Sequence, residues 1–253
     1  MKKGSSSARD AILARLRDSL AAADSVFRSQ SELEEPRGVP SDVTVADAEG
    51  TNLAEVFCES LRGVLGSCEI AASIDEVPVR VVQKIEGWRP EQGDQIGGGE
   101  EVLSWAENAL PLPKLHRQLE AAGISIFVPD DMDVRADRDH ASMLSIGLTG
   151  VDAAFASIGT MAFVPGPGKS RSASLLPLHH IALVPESSIY PNLEKWLAVL
   201  RESGELEPLF RDHSQLAFVT GPSKSADIEL NLTLGVHGPR EVHAIVFDDG
   251  RTA

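Results

Sequence analysis

The chain has 253 residues, 23 basic and 38 acidic, and a formal charge of −15 at pH 7, with 42% hydrophobic and 24% charged residues. That length can bury a sizeable core in one large or two small domains, and the ordinary apolar and charged fractions exclude a disordered or fibrous chain. The acidic balance excludes a general grip on a nucleic-acid backbone, because seven protonated histidines would still leave the total negative.

Residues 1–30 differ from the rest: six basic and three acidic side chains give +3, so the remainder carries −18. Arg9, Asp10, Arg15, Arg17 and Asp18 interrupt any signal-peptide core behind Lys2 and Lys3. Instead Ile12, Leu13, Leu16, Leu20 and Phe27 share one helical face, which predicts an amphipathic helix from Ala8 to about Phe27 that packs on the domain or meets a membrane surface or a partner. Breakers and acids at 29–50 read as a linker or loop. The expected division is thus an arm and linker over 1–50 and an α/β domain over 51–253.

From Asn52 onward helical and strand patterns alternate. Leu53, Val56, Phe57, Leu61, Val64 and Leu65 mark a helix, followed by a short strand at 69–72. Then come a helix over 79–85, a glycine turn at 97–99, a strand at 102–106, a helix at 112–122 and a strand at 124–128. A helix near 139–146, apolar runs at 151–156 and 161–164, a strand at 180–184, a helix at 190–202 and strands at 216–220 and 242–247 complete the series. Strands separated by helices predict βαβ crossovers and a mostly parallel sheet covered by helices on both faces. No stretch approaches 18 apolar residues, so no membrane span is expected. The two cysteines, Cys58 and Cys68, build neither a disulfide framework nor a metal cluster, which predicts free thiols and a reducing, cytoplasmic setting.

Two segments carry candidate chemistry. In the first, Gly159-Thr160 and Gly166-Pro167-Gly168 precede Lys169, Arg171 and Ser174. In an open α/β sheet such a loop at a strand's carboxyl end brings backbone N–H groups close to an anion, with Lys169 and Arg171 as countercharge. The same residues also suit a plain crossover loop, and they match neither common nucleotide-binding glycine fingerprint. In the second, Ser223 is followed by Asp227, Glu229 and His237-Gly238-Pro239-Arg240. Asp227, Glu229 and His237 are the candidates for proton handling, although the two acids also suit the first turn of a capped helix. No metal site is expected, because acids two apart do not share a helix face. His237 and Arg240, exposed at a bend, can converge on an anion, or Arg240 can bridge to a nearby acid. Arg171 and Arg240 are expected to face one crevice. Of His179 and His180 one ring should enter the core, and His243 should be a satisfied core residue.

These two segments resemble those of the lactate-utilisation C-type proteins of the LUD domain family. The resemblance rests on Gly159-Thr160, Gly166-Pro167-Gly168 with Arg171, Ser174-Leu175-Leu176-Pro177, His180-Ile181, and the blocks around Gly221-Pro222-Ser223, Ala226-Asp227-Ile228-Glu229 and Gly235-Val236-His237-Gly238-Pro239-Arg240. It covers residues 100–248 closely and the rest loosely. It implies a fold similar to the ribose-phosphate isomerase and coenzyme A transferase group, and an accessory role in oxidising L-lactate to pyruvate with iron–sulfur partner proteins. The two loops themselves are expected to build a small-anion pocket from Gly159, Thr160, Gly166, Gly168, Lys169, Arg171, Ser174, His180, Ser223, His237, Gly238 and Arg240. The resemblance departs at Ser157, where family members commonly carry the Glu comparable to the transferases' nucleophile. An unactivated hydroxyl is a weak substitute. Without a cysteine cluster the chain is expected to carry no cofactor, and iron–sulfur centres fall to the partners. The competing readings are an independent transferase or isomerase acting on a phosphorylated or coenzyme A-linked substrate, and a carboxylate-sensing module.

Overall fold

The computed structural model describes residues 10–15, 17–18, 52–88, 101–129, 134–226 and 232–251. Residues 10–15 and 17–18 are helical, inside the span expected for the arm. The rest of that helix, the linker and the glycine turn at 97–99 lie outside the described residues. The chain divides into Met1–Val43 and Thr44–Ala253, and the elements below belong to the second unit.

Asn52 starts α1 (Leu53–Gly63) by accepting the Ala54 and Glu55 N–H groups on its Oδ1, at 3.1 and 3.3 Å. Its buried stripe of Ala54, Phe57, Cys58 and Leu61 follows the i, i+3, i+4, i+7 spacing that the helical period demands. The chain reverses at Leu65 (φ 71°) into β1 (Ser67–Ile70), which α1 packs against. That reversal overturns the expectation of free thiols. Cys58, on the inner face of α1, and Cys68, buried on β1, stand 5.1 Å apart between Cα atoms and form a disulfide. The reducing setting inferred from the cysteine count therefore loses its support.

Next come α2 (Val77–Gly87), with Pro78 in its first turn, β2 (Glu101–Ser104), α3 (Leu115–Ala121), β3 (Ser125–Phe127), α4 (Arg135–Ala141) and β4 (Ile146–Gly150). After β5 (Ala153–Phe155) and β6 (Thr160–Phe163), the short α5 (Ser172–Leu175) leads to β7 (His179–Pro185). Then follow β8 (Ile189–Tyr190), α6 (Leu193–Ser203), α7 (Leu206–Asp212), β9 (Ala217–Val219), the hairpin β10 (Lys224–Ala226) with β11 (Leu232–Leu234), and β12 (Glu241–Phe247).

The central sheet has the order β1-β12-β7-β4-β2-β3, and every pairing is parallel. Past their first residues β7 and β12 are wholly buried, as the near-continuous apolar runs of doubly covered parallel strands require. The α/β architecture is as expected, with two differences. β4 occupies residues that the helix at 139–146 had claimed in part, and that helix lies earlier, at Arg135–Ala141. Its sequence, Ile-Gly-Leu-Thr-Gly, reads as breaker-rich. Yet a Cβ on Gly147 would lie 1.9 Å from the Ala173 carbonyl oxygen, so the glycine is there because α5 crosses the strand at contact distance. Second, β8-β5-β6-β9 form a separate sheet, with β5–β6 and β6–β9 antiparallel, rather than extending the first. Trp196 of α6 packs on Phe155 there, at 5.7 Å between ring centroids, in a second small core.

Candidate functional site

The loop between β6 and α5 begins with a tight turn. Pro167 presets the first bend, Gly168 takes φ +73°, and the Lys169 N–H donates to the Gly166 carbonyl at 2.9 Å, the arrangement that asks for Pro then Gly at the two central positions. Its far side is clamped at the carboxyl end of β2. There the Ala106 N–H donates to the Gly168 carbonyl (2.8 Å) and the Trp105 indole N–H to the Ser170 carbonyl (3.1 Å). Lys169 lies over the Trp105 ring and pairs with Asp152 at 2.5 Å, while the other Asp152 oxygen accepts the Val164 N–H at 2.7 Å. The charge of Lys169 is thus already answered inside the protein. Ser170 and Ser172 share a hydroxyl–hydroxyl bond of 2.6 Å, and the Ser174 hydroxyl donates to the Arg171 carbonyl at 3.1 Å, so the hydroxyls mainly shape the turn into α5.

Between this loop, α5 and α4 lies a cavity of about 860 Å³. Gly166, Lys169 and Arg171 line it from one side, and Arg135, Arg138 and Ser142 from the other. Its described lining carries four basic side chains and one acid, Asp139, in a chain whose net charge is −15. Arg135 pairs with Asp139 at 3.4 Å, and Arg171 donates to the neutral Gln215 amide oxygen at 2.5 Å. Arg138 has no carboxylate partner among the described residues. Pro165, Leu175 and Leu176 add an apolar wall, with Leu176 half exposed.

Only part of the expected pocket comes together. Gly166, Lys169 and Arg171 line the cavity, whereas Arg240 does not. Arg171 stands at the head of α5, near the carboxyl end of β2, while the Arg240 N–H donates at 2.7 Å to Leu178, just before the amino end of β7. The two arginines therefore sit toward opposite ends of the segment that crosses the sheet face, and the expected single crevice is not formed. Ser223 and the 235–240 turn hold each other: the Ser223 N–H donates to the Pro239 carbonyl (2.8 Å) and the Gly235 N–H to the Ser223 carbonyl (2.9 Å). A Cβ on Gly238 would meet Ser223 at 3.3 Å and the Leu175 carbonyl at 3.9 Å, so this turn seats against the back of α5. His237 is exposed in that turn, and Asp227 and Glu229 lie outside the described residues.

Other expected ligand residues prove to be structural. A Cβ on Gly159 would lie 2.4 Å from the Leu61 backbone nitrogen, so this glycine lets the β5–β6 turn touch α1. Thr160 is buried and hydrogen-bonded to the Thr220 hydroxyl at 2.7 Å. His180 is wholly buried, with its Nε2 2.8 Å from the Thr149 hydroxyl, and burial drives its pKa down to about 3, so the ring is neutral. Its Nδ1 is buried without a hydrogen-bond partner among the described residues. His179 stacks on Trp88 at 4.6 Å instead, and His243 is a satisfied core residue between the Ser67 hydroxyl (2.8 Å) and Glu69 (3.0 Å). Among the described residues no three of His, Cys, Asp and Glu are grouped to hold a metal ion. Sequence reasoning missed Arg135 and Arg138, although their i, i+3 spacing puts both on one helix face.

Residues 58–247 match the LUD domain family. The chain is a LUD domain protein. It is 35% identical over 210 residues to the lactate utilization protein C of Macrococcus caseolyticus, covering 83% of this chain and 84% of that protein. It is 34% identical over 156 residues to the protein of the same description from a Geobacillus species, covering 60% and 64% of the two chains. For the corresponding Exiguobacterium protein the values are 41% over 123 residues, 47% and 51%. This LUD domain thus spans about half to two-thirds of the length of the last two relatives. A crystal structure of a DUF162 family protein from Deinococcus radiodurans shares its fold, with a TM-score of 0.52 at 16% identity over 77% of this chain and 96% of that one. No described helix is long and apolar enough to cross a membrane.

Proposed function

We propose that this LUD domain serves lactate utilisation as an anion-recognising component that acts with iron–sulfur partner proteins in the oxidation of L-lactate to pyruvate. The observation that carries the reading is the cationic cavity, where Arg138 and Arg171 present guanidinium groups with no carboxylate partner among the described residues of an acidic chain. Such groups bind carboxylate or phosphate through paired, charge-assisted hydrogen bonds. The similarity to proteins called lactate utilization protein C supports the metabolic setting. The resemblance to the lactate-utilisation C-type proteins is what supports iron–sulfur partners. Both cysteines of the chain are bonded to each other, so the thiolates that hold an iron–sulfur cluster come from other chains.

Deleting the gene in its own organism tests the reading. Growth on L-lactate should be lost and growth on glucose kept, and the full-length chain should restore lactate growth while carrying iron–sulfur proteins with it through an affinity column. Arg171→Ala should restore growth poorly. Undiminished growth of the deletion strain on L-lactate would refute the proposal.

A further inference from the structure

We infer that the cavity between α4 and α5 takes an organic polyphosphate of nucleotide size, an anion with two phosphate groups joined to an apolar or ring-shaped body, rather than a three-carbon hydroxy acid. The inference rests on the anion-recognition reading above and names the class of ligand for the same site. Size comes first. A cavity of about 860 Å³ falls in the upper part of the range of roughly 300–1,000 Å³ that encloses ligands of cofactor or drug size. A hydroxy acid with one carboxylate would leave most of that space to water.

The distribution of charge points the same way. Of the four basic side chains in the wall, Lys169 is answered by Asp152 and Arg135 by Asp139. Arg138 on α4 and Arg171 at the head of α5 approach from separate elements, with no carboxylate partner among the described residues. Each guanidinium is a planar fork that two oxygens of one anionic group satisfy. Two forks from two elements offer places for two anionic groups, and a single carboxylate fills one. The lining also has an apolar part: Pro165, Leu175 and the half-exposed Leu176 offer a surface that an inorganic anion would leave wet. A large exposed leucine inside a cationic cavity costs solvation in the empty protein and is covered by the body of an amphipathic ligand.

Calorimetric titration of the full-length chain with ADP, inorganic pyrophosphate and L-lactate in the same buffer separates the possibilities. ADP should bind at least about tenfold more tightly than pyrophosphate or L-lactate. Arg138→Gln and Arg171→Gln should each weaken ADP by about tenfold or more, the scale of one lost charge-assisted contact. Both side chains are exposed, so the variants should melt like the parent in the absence of ligand. Pyrophosphate binding as tightly as ADP would overturn the role of the apolar wall. ADP binding that ignores both substitutions would place it outside this cavity and overturn the inference. L-lactate binding more tightly than ADP, and lost in Arg171→Gln, would overturn the inference and leave the anion-recognition reading standing. Failure of all three probes to bind would overturn both.

Discussion

At Gly147 one hydrogen atom in place of a methyl group decides how closely α5 can lie on the sheet. A Cβ there would overlap a backbone oxygen, which has no rotamer to move to, so Gly147→Ala should cost at least about 2 kcal/mol, read as a lower urea midpoint with little change in slope. His180 sets a pH dependence. Its ring takes up a proton near pH 6.5 in the unfolded chain but only at about 3 when folded, so between those values the unfolded state holds more protons. The stability is complete above about pH 6.5 and falls with pH through that window, by about 1.4 kcal/mol per unit, or on the order of 2 kcal/mol at about pH 5. The lowered pKa values of His116, His179 and His243, each caused first by burial, act in the same direction. Urea midpoints measured near pH 7.5 and pH 5 should therefore drop for the parent. The drop should be smaller, though not absent, for His180→Asn.

At the scale of elements, α1 shows how far local signals reach. Its apolar stripe was legible, whereas the Asn52 cap and the end at Gly63 came with the structure, and Asn52→Ala should remove about 1 kcal/mol by leaving the Ala54 and Glu55 N–H groups uncapped, visible as a lower thermal midpoint. The disulfide was not legible. Ten residues of separation say nothing until α1 folds back on β1 and turns both thiols inward. The intact mass of the protein unfolded without reductant should be two hydrogen masses below that after reduction, and reduction should lower stability by about 2–3 kcal/mol for so short a loop. β4 escaped for a related reason. Its glycines look like breakers along the chain, but in the sheet they are the places where α5 and Pro111 come closest.

Across the whole molecule, the excess of acids is not uniform. The cavity between α4 and α5 gathers four bases around one acid, which no sliding average over the chain reveals, because Arg135 and Arg138 lie more than 25 residues before Lys169 and Arg171. The sequence by itself determined the class of the fold. Apolar periodicity records which faces are buried, and burial on both faces of parallel strands writes an unmistakable run in β7 and β12. It also marked the turn at Gly166-Pro167-Gly168 and the arginine beside it, since those residues answer to local backbone geometry. What only the tertiary structure decided was which distant groups share a space. It set Arg171 with Arg138 and apart from Arg240, split β5, β6, β8 and β9 into a sheet of their own, and turned Gly159 and His180 into packing residues. Such partnerships depend on crossover paths and contact distances between elements, and a sequence pattern, which reports only each residue's own burial and backbone, carries no record of them.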